Sequence, residues 1–201
     1  MDAVSISLPG HVEHGEETTE VDYAKMSEEF SAHCGLPVYV SHNTAAVAYG
    51  FYAQQGKYDI VSYHSQPAGF LIGGQGCVYR GMPIDGRAEK GGEIGDLIRA
   101  AFPSYSENPE EVTPEKAKEV LVFSLLANIS IIAPEIILIR SPWFPDMEEI
   151  RQALAQHMPL ESIPVLKHVR DIREYAMLGT LLYGMRRFKS EVRDMVNETR
   201  Q

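Results

Sequence analysis

Apolar and polar residues alternate at the start of the chain, in "AVSIS", and break at Leu8-Pro9-Gly10, which predicts a short strand ending in a turn. In "YAKMSEEFSAHCG" the apolar spacing becomes helical, and Gly35 supplies the stop. "LPVYV" then reads as a second strand, and Asn43 to Tyr52 as a helix built largely of small residues. From Tyr58 to Tyr79 three β-rich runs, "YDIVSYH", "AGFLIGG" and "CVYR", are separated by glycine and proline, which predicts a meander or hairpins. Met82 to Gly95 is rich in glycine and charge and reads mostly as loop. Thr113-Pro114-Glu115 supplies a cap and a first-turn proline for a helix running to about Ala133. After it come a buried strand, "EIILI", an amphipathic helix from Met147 to His157, a strand, "IPVLKH", and a final helix from Ile172 to Arg187. Strands alternating with helices make this an α/β chain.

Composition narrows the picture. With 201 residues, 44% hydrophobic and 23% charged, the chain can build one sizeable core or two small lobes. A formal net charge of -10 argues against a DNA-binding surface, which needs clustered Lys and Arg. Cys34 and Cys77 have no CxxC spacing and read as free thiols, with neither a disulfide framework nor a thiolate zinc site. The N-terminus lacks a charged-then-apolar signal pattern, and Glu16, Glu17 and Glu20 follow closely, so a cytoplasmic location is expected. The long apolar stretch Leu121 to Ile139 is interrupted by Asn128, Pro134 and Glu135, so it predicts a buried helix and strand and no membrane span.

The chemistry concentrates where the second strand meets the small-residue helix. His42, Asn43 and Thr44 sit at that joint, as catalytic groups, as walls of a binding site, or as the cap of the helix. Elsewhere the polar groups have simpler readings. His11 and His14 lie in a polar segment without the fixed geometry a metal needs, and "SENPEEVTPEK" (Ser106 to Lys116) reads as a solvated loop and helix start. Trp143 packs at a strand end, and Arg186, Arg187 and Lys189 lie on the exposed face of a terminal helix.

Three segments, in order and in register, resemble the later part of the ROK family of sugar kinases and sugar-responsive repressors. "SISLPGHVE" resembles the family's strand and Pro-Gly turn. "GLPVYVSHNTAAVAYGFY" resembles its "GLPVVVENDANAAALGEY", and "YRGMPIDGRAEKGGEIGD" its "YRGANGAAGEIGH". The likeness continues through "ANISIIAPEIILI" to "YAMLGTLLYGM", over nearly the whole chain. It implies the actin-like ATPase (ribonuclease H-like) fold. Residues 1–42 would be a remnant of the first lobe, 43–185 the larger lobe, and 186–201 a terminal helix returning to the first. The phosphate-binding hairpin and the helix-turn-helix module that begin family members have no counterpart here, so the chain is expected to start partway through the first lobe.

By the same resemblance, the kinases' catalytic Asp matches Asn43, an amide with no basic lone pair, and the neighbouring sugar-binding Asn matches His42. Loss of one base costs roughly 10²- to 10⁴-fold in rate and by itself leaves room for a slow kinase. The family's glycine-rich "GTGIGGG" phosphate turn is matched by "SQPAGFL" (Ser65 to Leu71), where Pro67 removes a donor and Phe70 and Leu71 add bulk. A second glycine pair is replaced by Arg140-Ser141-Pro142-Trp143. The zinc-binding histidine matches Asp96, and the cysteines that follow it are replaced by "LIRAAFPSYSENPEE". Glu93 matches the sugar-binding Glu, so His42, Asn43, Glu93 and Asp96 form the expected ligand-binding set, with no catalytic residue, metal or cofactor.

The resemblance therefore implies a non-catalytic sugar-effector-binding and dimerisation domain of a ROK-type, NagC-like regulator. Its partners would be a sugar or sugar phosphate and a second copy docked near the Pro114 to Ala133 helix. DNA would be reached only through an N-terminal module outside this chain, and no membrane is involved. The alternatives are a divergent sugar kinase and a dimerisation scaffold that binds no small molecule.

Overall fold

The computed structural model describes residues 2–14, 17–67, 70–87, 91–105, 111–143 and 146–198, without the side chains of residues 11–20, Val196 and Glu198. The expected readings of His11 and His14 as side chains, and of most of the acidic segment after Ser106, lie outside that description. Two strands, β1 (Val4–Leu8) and β4 (Val38–His42), pair in parallel, with Ile6 opposite Val40. Between them come an antiparallel hairpin, β2 (His11–His14) and β3 (Glu17–Glu20), and helix α1 (Tyr23–Cys34). Asp22 caps α1 by accepting from Lys25 N, and Gly35 closes it in the left-handed conformation.

Helix α2 (Asn43–Gln55) leads into the main sheet, whose strands lie in the order β7-β6-β5-β8-β9. They are β5 (Ile60–Ser65), β6 (Gly74–Tyr79), β7 (Met82–Pro83), β8 (Ile136–Arg140) and β9 (Val165–His168). β6 runs antiparallel to both of its neighbours, β5 and β7, and β5, β8 and β9 run parallel to one another. The apolar run in β8 is explained by burial on both sides, as expected for a central parallel strand. Ile136 and Leu138 face α2 and the helix α6 (Arg173–Glu198), and Ile137 and Ile139 face α4 (Pro114–Ile132) and α5 (Met147–Leu154).

Most of α4 is turned into that second core: Ala117, Val120, Leu121, Val122, Leu125 and Ile129 are buried. Ile131 is the large apolar side chain of α4 left exposed, at 77%. The helix face expected to lie near a dimer contact is therefore largely covered by this chain's own sheet and α5.

The structure departs from the sequence reading in five places. The polar segment around His11 forms the β2–β3 hairpin, although it lacks an apolar alternation. "LIRAAF" contributes to a short helix, α3 (Gly95–Ala101), which Ile94 starts without any side-chain cap. Helix α6 continues to Glu198, well beyond Arg187. It returns to the β1–β4 pair, where Ser5 Oγ donates to the Thr180 carbonyl (2.6 Å) and the Tyr39 hydroxyl donates to Glu191 (2.7 Å). Arg186 is half-buried and paired with Asp85 at 2.8 Å, so it does not share the exposed face of Arg187 and Lys189. Of "AGFLIGG", the described residues 70–73 form a loop and not a strand. Among the described residues no helix is long and apolar enough to cross a membrane.

Candidate functional site: a cleft at the start of helix α2

Parallel β4 and helix α2 join at His42, and the joint opens into a cleft of about 280 Å³. The Pro9–Gly10 turn, His42, Asn43, Thr44, Glu93 and Arg99 form its polar side, and Pro67, Phe70, Leu71 and Ile72 its apolar side. His42, not Asn43, caps α2: its Nδ1 accepts the Thr44 backbone N–H at 3.2 Å. That bond leaves the ring proton on Nε2, which donates to Glu93 Oε1 at 2.6 Å. Thr44 Oγ1 lies 2.5 Å from the same Nδ1 and donates to the Gln75 carbonyl at 2.8 Å, fixing the ring against β6. The imidazole is 5% exposed, whereas Glu93 remains 24% exposed at the cleft.

Gly10 closes over this pair. A Cβ there would overlap Glu93 Oε1 and come within 3.0 Å of His42 Nε2, so any larger residue would force the Glu93 carboxylate to move. Asn43, freed from capping, lines the cleft from the first turn of α2, and among the described residues its amide has no hydrogen-bond partner. It can both donate to and accept from a hydroxyl.

The expected ligand-binding set is thus split by position. His42, Asn43 and Glu93 meet at the cleft, and Asp96 does not line it: its side chain is fully exposed on the first turn of α3, paired with Arg99 at 3.0 Å. Arg99, one turn further along α3, does line the cleft and was not singled out from the sequence. Its signal was available only through α3, since an Arg three residues after Asp96 shares its face only if the segment is helical.

The strand end where a nucleotide phosphate would be sought is held down by side chains. Gln66 N–H donates to the Arg140 carbonyl (2.8 Å). Its buried amide donates to the carbonyls of Leu71 (3.1 Å) and Ala117 (2.9 Å) and accepts from Ser141 Oγ (2.9 Å). Phe70 N–H is turned back to the Pro67 carbonyl at 3.3 Å. These bonds use polar groups of Gln66 and Phe70 that an anion would otherwise compete for. Ala68 and Gly69 lie outside the described residues. Trp143 packs beside the α4–α5 core. Among the described residues, no three His, Cys, Asp or Glu come together in a metal-binding group.

No protein-family model and no curated protein sequence matches the chain. Solved structures do. A ROK family protein from Streptococcus pneumoniae, in complex with sucrose, has a TM-score of 0.62 at 15% identity, covering 94% of this chain and 81% of that one. The ROK hexokinase from Thermus thermophilus has a TM-score of 0.61 at 16% identity, covering 92% and 79%. A ROK family transcriptional regulator, a homologue of the E. coli MLC protein, has a TM-score of 0.60 at 19% identity, covering 91% of this chain and 62% of that one. The chain has the mixed α/β, actin-like ATPase fold shared by ROK sugar kinases and ROK regulators.

Proposed function

We propose that the chain is a non-catalytic, sugar-effector-binding and dimerising module of a ROK-type, NagC-like transcriptional regulator, acting in the cytoplasm. The observation that carries this reading is the contrast between the two walls of one cleft. The polar side presents to a polyol the Glu93 carboxylate, held by the buried His42 imidazole, and the Asn43 amide, which has no hydrogen-bond partner among the described residues; the other side is apolar, and its strand end is tied down by Gln66. Glu93 and Asn43 bind sugar hydroxyls, and Arg99 receives the phosphate where the effector carries one. A ligand held between β4–α2 and α3 changes the equilibrium between arrangements only by binding one of them more tightly. DNA contact belongs to a module outside this chain, and the partner in solution is a second copy.

One observation favours a second reading, a divergent sugar kinase: His42 and Glu93, 2.6 Å apart, are a pair able to take a proton where Asn43 cannot. A thermal-shift panel of neutral sugars and sugar phosphates, run beside a coupled phosphoryl-transfer assay with MgATP, separates the readings. Stabilisation by one sugar class without ATP consumption supports the effector module. Sugar-dependent ATP consumption that disappears in Glu93→Gln establishes the kinase, and a panel with no stabilising sugar leaves a scaffold.

A further inference from the structure

A second cavity, of about 160 Å³, opens beside the loop that carries Glu93. Its walls come from β6, α3, α4 and that loop, and among the described residues it shares no lining residue with the cleft at α2. Backbone contacts hold the loop wall in place. Gln75 N–H donates to the Gly92 carbonyl (3.1 Å), Gly91 N–H donates to the Asp85 carbonyl (2.8 Å), and a Cβ at Gly92 would overlap the Gln75 carbonyl. Gln75, Cys77 and Asn128 are the buried residues of the lining, at its inner end, and Ile84, Leu97 and Ile131 are exposed at its mouth. Among the described residues no charged side chain lines it, and burial pushes the Cys77 thiol up, so a molecule inside meets only neutral groups.

The polar groups at the inner end fix one another's orientation. Gln75 Nε2 donates to the Ser124 carbonyl (2.9 Å), which can only accept, so Oε1 is the end of the Gln75 amide turned toward Asn128. That oxygen accepts from Asn128 Nδ2 at 3.0 Å, and the same Nδ2 donates to Cys77 Sγ at 3.5 Å. Asn128 is 4% exposed, and its Oδ1 is left buried with no hydrogen-bond partner among the described residues. A buried oxygen in this position calls for a donor. One water, with a share of about 30 Å³, would satisfy it and leave the apolar walls unfilled, whereas an apolar cavity of about 150 Å³ holds a benzene molecule.

We propose that this cavity is a second ligand site, taking a neutral single-ring molecule of the phenol class: an apolar body with one O–H or N–H donor, the donor given to Asn128 Oδ1 and the ring held among Ile84, Leu97 and Ile131. Apolar walls with one polar group that fixes orientation are the usual make-up of a small-molecule site. The missing charge in the lining excludes an ionised ligand, which would lose its hydration without a counter-ion. A polyol is excluded as well, because one acceptor cannot pair several hydroxyls. The site does not depend on whether the cleft at α2 takes a sugar.

Titration of the full chain with phenol and with toluene, which puts a methyl group where phenol has its hydroxyl, tests it by calorimetry and ligand-observed NMR. Phenol should bind saturably and about tenfold more tightly than toluene, the margin of one neutral hydrogen bond. Asn128→Leu should remove that preference. Because Asn128 also holds Gln75, a second variant, Ala127→Leu, fills the cavity from α4 without touching the amide pair, and it should abolish phenol binding with an unchanged circular-dichroism spectrum. The proposal is overturned by equal affinity for phenol and toluene, by no saturable phenol binding up to about 10 mM, or by binding that survives Ala127→Leu. It is also overturned if sedimentation velocity shows a dimer that Ile131→Lys dissociates, since the mouth would then be covered by a second copy.

Discussion

At the scale of single residues, the cleft and the core each contain a histidine, and their surroundings give them different work. His64 is fully buried on β5, and burial holds its imidazole down at about 4. Gln75 Nε2 donates to its Nδ1 at 3.3 Å and to the Ser124 carbonyl at 2.9 Å, an arrangement that requires the neutral ring. The unfolded chain takes that proton near pH 6.5, so between about 6.5 and 4 it binds more protons than the folded one, and stability falls as the pH is lowered through that window. The contribution is on the order of 3 kcal/mol. Urea unfolding at pH 7, 6 and 5 should show the decline, and His64→Leu should flatten it.

At the cleft, Gly10→Ala should push Glu93 away from His42 and weaken binding of the stabilising sugar by about tenfold in calorimetry. An unaltered affinity would mean that the His42–Glu93 pair does not shape the site. The sequence made His42, Asn43 and Glu93 legible because they stand in motif-like segments next to a strand end and a glycine pair. Arg99 was not legible, because its place in the cleft depends on a seven-residue helix with no side-chain cap to announce it.

At the scale of elements, the contact between α2 and α6 depends on absent side chains. A Cβ at Gly50 would overlap the Tyr175 carbonyl, and one at Gly179 would overlap the Ala46 carbonyl, so the two helices cross backbone to backbone. Alanine is the better helix former by about 1 kcal/mol, yet Gly179→Ala should lower stability by about 1–3 kcal/mol, because overpacking at the crossing outweighs propensity. Equilibrium urea denaturation checks the sign, and a stabilised variant would contradict this packing.

The small-residue character of α2 was plain from the sequence, but its purpose required α6 beside it. Helices α1 and α4 were legible for another reason: Gly35 ends the first, and Thr113, accepting from Lys116 N, with Pro114 begins the second. The β2–β3 hairpin and the last turns of α6 were not, since polar strands and charged helix ends carry little hydrophobic period.

For the whole molecule, the proposed function requires that the cleft between the β1–β4 pair and the five-stranded sheet binds a sugar without gripping a triphosphate. A ligand at about 100 times its Kd adds about 2.7 kcal/mol, which for a chain of this size raises Tm by roughly 5–10 °C. The most direct measurement is isothermal titration of the full chain with the stabilising sugar or sugar phosphate and, separately, with MgATP at millimolar concentration in the presence of that sugar. The account predicts saturable heat for the first, abolished or strongly reduced by Asn43→Ala, and none for the second. Saturable MgATP binding, with or without the sugar, would contradict it.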